Sequence, residues 1–371
     1  MASYLFCLPR YHTNAVPWMR ILTAAGHKPS VDVMALGPTE NYELIQPVRH
    51  DSGRLSRFMG AIGIGKKREL QSFPGVRAYW RHMQTIDPDV VIVRGITRWF
   101  CRLAALFAVL QGRRLVIYDQ EDVAPAKWSG TWLRRALLKR LGIPHFTSRV
   151  DLTREGEANA GRAVSLPFGS PLGEEETRAF ATRPLAWPPR LLMVAKYRDR
   201  KGHALLLAAL GKTAAKTPFT ISFCGEEASD ADTRFRNALE NQAADLGISE
   251  RVSFLKNIPH SQMADVYSGH DLFILPSRNE PAAVSPVEAA WAGCAVLISR
   301  DSGTRGYLPP GDEYHFDPES SDDMARAIRA ILSGPEQLAH ARAQCRAHLE
   351  DIGSSETILK KFESFIASKP R

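Results

Sequence analysis

Short apolar runs alternate with longer segments of helical period along the whole chain. In the first half the strand-like runs are Tyr4–Leu8, Val31–Leu36, Val90–Val93 and Leu115–Tyr118, and helical patterns such as Trp18–Ala25 and Arg102–Leu110 lie between them. In the second half the runs are Leu191–Ala195, Thr220–Cys224, Val252–Leu255, Leu272–Leu275 and Ala295–Ile298. This alternation predicts an α/β protein with parallel sheets, each half forming one Rossmann-type unit.

Between the halves, residues 167–189 carry FGSP, an EEE run and WPP, with little periodic apolar signal and several helix breakers. The expected division is an N-terminal domain over 1–170, a linker over 171–189, a C-terminal domain over 190–352 and a closing helix over 353–371. The closing segment has helical spacing at Ile358, Leu359, Phe362, Phe365 and Ile366, suited to packing back on the N-terminal domain.

The 371 residues are 44% hydrophobic and 24% charged, enough apolar material for two globular cores and unlike a disordered or fibrous chain. No apolar stretch reaches the roughly 18–20 residues of a spanning helix. The opening MASYLFCLPRYH has no basic region ahead of its apolar run and no small-residue cleavage site, so no secretory signal is expected. Five widely spaced cysteines suggest neither a disulfide framework nor a zinc knuckle, and a reducing cytoplasm is the expected location.

Charge is unevenly distributed. Residues 1–150 hold 22 Lys+Arg against 10 Asp+Glu, a net of +12, while the other 221 hold 26 against 30, a net of −4. A basic front half implies an acidic or phosphate-bearing partner, which leaves nucleic acid, an anionic membrane or a phosphorylated ligand open.

The chemistry concentrates in DLFILPSRNEPAAVSPVEAAWAGCAVLIS, residues 271–299. A buried strand there leads into a loop with Glu280, then a helix start and Glu288. Ser285 suits an N-cap with Pro286 in the first turn, and free backbone N–H groups at such a terminus can hold a diphosphate. Glu280, at the carboxyl end of a strand, faces the crevice where α/β proteins bind ligands. Ser285-x-x-Glu288 equally matches a capping box that needs no ligand. A second cluster, Lys196, Arg198, Arg200 and Lys201 before Gly202, follows the strand LLMVA. It suits a pyrophosphate at the switch of strand to helix, or a solvated basic turn.

Taken together, VAK ending at Lys196, RKG ending at Gly202, LPS ending at Ser277, and Glu280 with Glu288 inside VEAAWAGCAV, followed by SGT ending at Thr304, resemble the C-terminal domain of the retaining GT-B glycosyltransferases of family 4. The first-half segments LPRYHTNAVPWMR and DPDVVIVRG resemble the opening of the same enzymes. The resemblance implies two Rossmann-like domains facing each other across a cleft. It also implies transfer of a sugar, with retention, from a nucleotide-sugar donor on the second domain to an acceptor hydroxyl on the first. UDP is favoured over GDP, and the acceptor is a glycan or lipid-linked sugar of the kind used in lipopolysaccharide or glycolipid assembly.

By position, the resemblance gives Glu288 the ribose hydroxyls, Glu280 the donor sugar, and Lys196 and Lys201 the diphosphate. Gly225, Ser277, Ala283, Val284 and Ser285 complete the donor set. Lys196 stands where arginine is usual, so a point charge replaces a bidentate contact. Ala283 stands where glycine is frequent. The histidine that many members carry near Tyr118 is absent, the chain reading VIYDQEDVA with Asp119, Gln120 and Glu121. The candidate catalytic residues are therefore Glu280, Asp119 and His12, the last in the loop after the first strand. No cofactor and no metal are expected, since cations and a helix terminus would meet the leaving diphosphate.

Several motifs lead elsewhere. GKT at 211–213 lacks the first P-loop glycine, because position 206 is Leu206. Asp87-Pro88-Asp89 reads as a turn before a strand, and Asp230-Ala231-Asp232 as a polar loop, rather than as metal-binding pairs. TWLRRALLKRLG and residues 54–68 carry cations among apolar positions and fit either packed helices or a peripheral position on the inner, anionic face of a membrane. No reader motif with interleaved aromatics supports nucleic acid as a partner. A related sugar epimerase or phosphorylase, and a basic binding module, are the alternatives.

Overall fold

The computed structural model describes residues 1–37, 40, 42, 44–61, 71–119, 140, 142–150, 164–215 and 217–367. The chain forms two compact units. Unit 1 comprises 1–148, 153–169 and 355–371, and unit 2 comprises 149–152 and 170–354.

Unit 1 is built on a parallel sheet of β1 (Ser3–Arg10), β2 (Lys28–Ala35), β3 (Val48–Arg49), β4 (Val90–Arg94), β5 (Arg114–Asp119), β6 (His145–Thr147) and β7 (Val164–Ser165). Their order is β3-β2-β1-β4-β5-β6-β7. Side chains alternate between faces along β1. Leu5 and Cys7 join a core with Val91, Val93, Tyr79, Phe100 and Phe107. Tyr4 and Phe6 point the other way, onto Phe362 of the helix Ser355–Ala367, with ring centroids 5.9 and 6.4 Å apart. Phe362 also meets Trp18, whose indole N–H donates to Pro167 O at 2.8 Å. The C-terminal helix is thus part of the first unit's core.

Unit 2 repeats the plan with β8 (Arg190–Val194), β9 (Thr220–Gly225), β10 (Val252–Lys256), β11 (Leu272–Leu275), β12 (Ala295–Ser299) and β13 (His315–Phe316), in the order β10-β9-β8-β11-β12-β13. Every pairing is parallel. The strand order reverses between β8 and β11, and a ligand crevice forms at the carboxyl ends of such a pair.

Residues 171–189, read from sequence as linker, hold the helix Glu174–Thr182 and lie in unit 2. Their anchor is Asp271, fully buried just before β11. Its carboxylate accepts from Arg183 Nη1 at 3.1 Å, Ala186 N at 3.2 Å, and Arg190 N and Nε at 3.0 and 2.9 Å. Burial alone would raise the pKa of Asp271, but these donors hold it below the usual carboxylate range.

The decoy motifs also resolve. Asp87 ends the helix Val76–Ile86 in a left-handed conformation, and Asp89 accepts from Ser3 N at 2.7 Å. Asp230 and Asp232, expected in a loop, open the helix Asp230–Asp245, where Ser229 caps the Asp232 N–H. Lys212 and Thr213 end the helix His203–Thr213, which is not a phosphate loop. Among the described residues no helix is long and apolar enough to cross a membrane.

Candidate functional site

The second unit's switch point gathers two loops. After β8 the chain runs through Lys196 to a short turn, Asp199–Lys201, and then Gly202. Gly202 has φ 78°, and a Cβ there would sit 2.4 Å from Pro276 O, so only glycine lets this turn lie against the loop after β11. Arg278 N donates to Arg200 O at 2.8 Å and ties the two loops together. Asn279 then adopts φ 47°, a left-handed conformation that asparagine tolerates better than most residues, and the chain turns Glu280 back over the basic turn.

Glu280 Oε2 accepts from Arg200 Nη1 at 2.9 Å and from Lys201 Nζ. The Glu280 and Lys201 side chains are only 10% and 14% exposed, whereas Arg200 is about half exposed. Burial lowers the Lys201 pKa, and the Glu280 charge pulls it partly back. Beside them an open cavity of about 470 Å³ is lined by Arg200, Arg278, Asn279, Pro281 and Glu319. The following SGT segment supports the loop from below, with Gly303 N donating to Glu280 O at 2.7 Å. A Cβ on Gly303 would lie 1.7 Å from Pro281 O.

Glu288 sits in the first turn of the helix Ser285–Trp291. Tyr267 OH donates to its Oε2 at 2.7 Å, and His260 Nε2 lies 3.6 Å from its Oε1. The capping box that Ser285-x-x-Glu288 equally allowed does not form. Val284, not Ser285, is the N-cap residue and makes no side-chain cap, while Ser285 is the first helical residue with its Oγ on Val194 O at 3.3 Å. Freed from capping, Glu288 is oriented by a buried tyrosine instead.

The remaining donor candidates are placed as follows. Lys196 is exposed and pairs with Glu226, so it does not join the Glu280 cluster. Gly225 ends β9, and a Cβ there would meet Ala195 O at 2.6 Å and the Tyr197 ring. Ser277 is fully buried, and its Oγ has no hydrogen-bond partner among the described residues. Ala283 is buried and Val284 half-buried in the loop leading to Glu288.

In unit 1, Asp119 ends β5 beside Gly95 and accepts from His145 Nε2 at 3.1 Å. His12 follows β1, with Nδ1 3.5 Å from Glu40 Oε1. Burial lowers the His12 pKa against the pull of Glu40. Glu40 would itself be raised by burial, but hydrogen bonds from His12 and Thr13 hold it down at about 2. Thr13 contributes two of these, from N and Oγ1, both at 2.7 Å. Gln120, Glu121, nearly all of the segment TWLRRALLKRLG and residues 62–68 lie outside the described residues.

Sequence reading alone did not find His145, Glu226, Tyr267 or His260. Each is distant in sequence from the residue it holds and belongs to no spaced motif.

Residues 177–348 match the family described as Glycosyl transferases group 1. The D-inositol 3-phosphate glycosyltransferase of Rhodococcus opacus is 30% identical over 130 residues, covering 35% of this chain and 29% of that protein. The chain's matches span less than half the length of the curated relatives. A glycosyltransferase from Rickettsia africae has a TM-score of 0.71 at 14% identity, with 98% of each chain covered. The Anabaena protein HepE in complex with UDP and glucose has a TM-score of 0.70 at 15% identity, with 100% of both chains covered. The fold is that of the GT-B glycosyltransferases.

Proposed function

We propose that the chain is a retaining glycosyltransferase of family 4 that moves a sugar from a nucleotide-sugar, UDP favoured over GDP, to a hydroxyl of a glycan or lipid-linked acceptor. The observation that carries this reading is Glu280, which gathers Lys201 and Arg200 at the switch point of unit 2, in the same loop-and-helix segment that presents Glu288. UDP complexes among the structural neighbours, and relatives named as glycosyltransferases, support it.

In this reading Glu288 accepts the ribose hydroxyls, held in place by Tyr267. Lys201 and Arg200 exchange part of their pairing with Glu280 for the donor's diphosphate, and Glu280 turns its freed lone pairs to the sugar hydroxyls. Cations already gathered at the site before the substrate arrives then stabilise charge on the leaving diphosphate, and in this reading the step needs no metal. The donor's own phosphate takes the acceptor proton, and no side-chain nucleophile is required. His12 and Asp119, at the carboxyl ends of β1 and β5, are assigned to the acceptor side. The net +12 of the first 150 residues, and Leu55 and Phe58 standing 54% and 62% exposed between basic residues, support docking on an anionic membrane surface.

The test is calorimetric titration with UDP, GDP and ADP, with and without magnesium, followed by product analysis with the nucleotide-sugar that binds. Metal-independent binding of one nucleotide, and an acceptor-dependent product of unchanged anomeric configuration, are expected. Failure of all three to bind would overturn the assignment. An acceptor-independent product would make the chain an epimerase or phosphorylase.

A further inference from the structure

A second group of chemically capable side chains lies in unit 1 and includes no residue assigned to the donor. Asp32 on β2 is buried with its carboxylate 1% exposed, and two histidines from different elements converge on it. His50 follows the edge strand β3 and is positioned by its N–H bond to Val33 O at 2.9 Å. His82 comes from the helix Val76–Ile86. Both present Nε2 to the same oxygen, Asp32 Oδ1, at 3.2 Å from His50 and 3.0 Å from His82.

We infer that Asp32, His50 and His82 form a binding site for a divalent transition-metal ion of the zinc class. The three ligand atoms lie within 4.8 Å of one another. A tetrahedral ion with metal–ligand distances of about 2.0–2.1 Å holds its ligand atoms roughly 3.3 Å apart. The two aspartate–histidine separations already match that edge. The third edge, between the two imidazole nitrogens, is no longer than 4.8 Å.

Two further observations favour an ion over a simple hydrogen-bonded triad. His50 Nε2 is buried, lies 3.2 Å from Asp32 Oδ1 and has no well-formed hydrogen bond among the described residues. His82 Nε2 reaches both carboxylate oxygens of Asp32, at 3.0 and 3.1 Å, and so lies within one ligand-to-ligand edge of either. Tyr79 walls the site, its ring centroid 5.0 Å from that of His50 and 5.8 Å from that of His82, which limits how far either imidazole can turn. His82 is 26% exposed, so solvent reaches one side of the cluster. Three nitrogen and oxygen ligands of this kind suit zinc, cobalt or nickel better than calcium or magnesium.

The site ties β2, the edge strand β3 and the helix Val76–Ile86 together, so an ion there clamps the edge of the unit 1 sheet. It takes no part in the transfer proposed above, and its test does not depend on that activity. Chelator-treated full-length protein is titrated with Co²⁺ while the visible d–d absorption is followed, and Zn²⁺ is then used as competitor. Wild type should bind one Co²⁺ with a tetrahedral spectrum that Zn²⁺ abolishes, and Zn²⁺ should raise its Tm. His82→Gln and His50→Gln should each weaken Co²⁺ by more than the ~10–100-fold typical of an outer-shell change. Circular dichroism checks that each variant folds, and either one suffices. Absence of saturable Co²⁺ binding in wild type, or binding unchanged in a folded variant, would reduce the cluster to a hydrogen-bonded triad.

Discussion

The Tyr267 hydroxyl donates to Glu288 Oε2 at 2.7 Å, and the tyrosine is 3% exposed. Burial first, and the Glu288 charge second, raise the Tyr267 pKa far above its ordinary value, so this hydroxyl stays a donor at any working pH. One carboxylate oxygen is thereby occupied by Tyr267, and the other lies 3.6 Å from His260 Nε2.

Glu288→Ala should therefore have two separable effects. Loss of charge-assisted hydrogen bonds of ~1.5–3 kcal/mol weakens nucleotide binding roughly 10–100-fold. The abandoned Tyr267 hydroxyl costs a further ~1–3 kcal/mol of stability. Tyr267→Phe should keep most of the stability and lose only part of the affinity. Titration calorimetry and urea denaturation on both variants separate the terms. Unchanged nucleotide affinity in Glu288→Ala would leave Glu288 a structural residue.

Lys201 and Glu280 should respond in opposite senses. Lys201→Ala removes a charged contact to the diphosphate and should weaken UDP by roughly 10–100-fold. Glu280→Gln releases Lys201 and Arg200 from their internal partner, so UDP should bind as tightly as to wild type or more so, while transfer falls sharply. Affinity measured beside turnover checks this. Parallel loss of UDP binding in both variants would mean that Glu280 only builds the loop.

The turn after β8 should tolerate no side chain at Gly202. Gly202→Ala combines φ 78° with a Cβ placed 2.4 Å from Pro276 O. Gly247 has a comparable φ of 67° and nothing within 4 Å of its would-be Cβ. Gly247→Ala should thus lose only the conformational term, ~1–3 kcal/mol, and Gly202→Ala distinctly more, together with nucleotide binding. Denaturation midpoints of the pair decide it, and equal losses would remove the steric argument.

The sequence carried the longer strands well because each is a mostly apolar run, broken at most by one or two polar residues. Leu272–Leu275 agrees to the residue, and the other predicted strands agree within three residues at either end. The strands β3, β6, β7 and β13 were missed because they span two or three residues at or near sheet edges, too short to show a period. The supposed linker misled through its helix breakers, since what fixes residues 183–190 is Asp271, some eighty positions later. Lys201, Glu280 and Glu288 were visible because each falls in a spaced motif at the end of an apolar run. Tyr267, His145, and the meeting of Asp32 with His50 and His82 are products of tertiary packing, for which no local pattern exists.

His203, the first residue of the helix after Gly202, makes the pH dependence of stability predictable. It is 1% exposed, and burial lowers its pKa from 6.5 to about 4, against a weaker upward pull from the backbone at Ala195. The folded state thus prefers neutral imidazole. Between pH 6.5 and about 4 the unfolded chain binds the extra proton, so stability is complete above 6.5 and falls as pH drops through that window. At ~1.4 kcal/mol per pKa unit the loss approaches ~3 kcal/mol. His203→Gln cannot titrate and should flatten this part of the profile even if it lowers stability at neutral pH. Urea midpoints of both proteins at pH 7, 6 and 5 test the slope. Parallel slopes would assign the acid sensitivity in this window to other groups, and His12, whose pKa burial also lowers, would be the first to examine; Asp271 keeps its contribution until the pH falls into the carboxylate range.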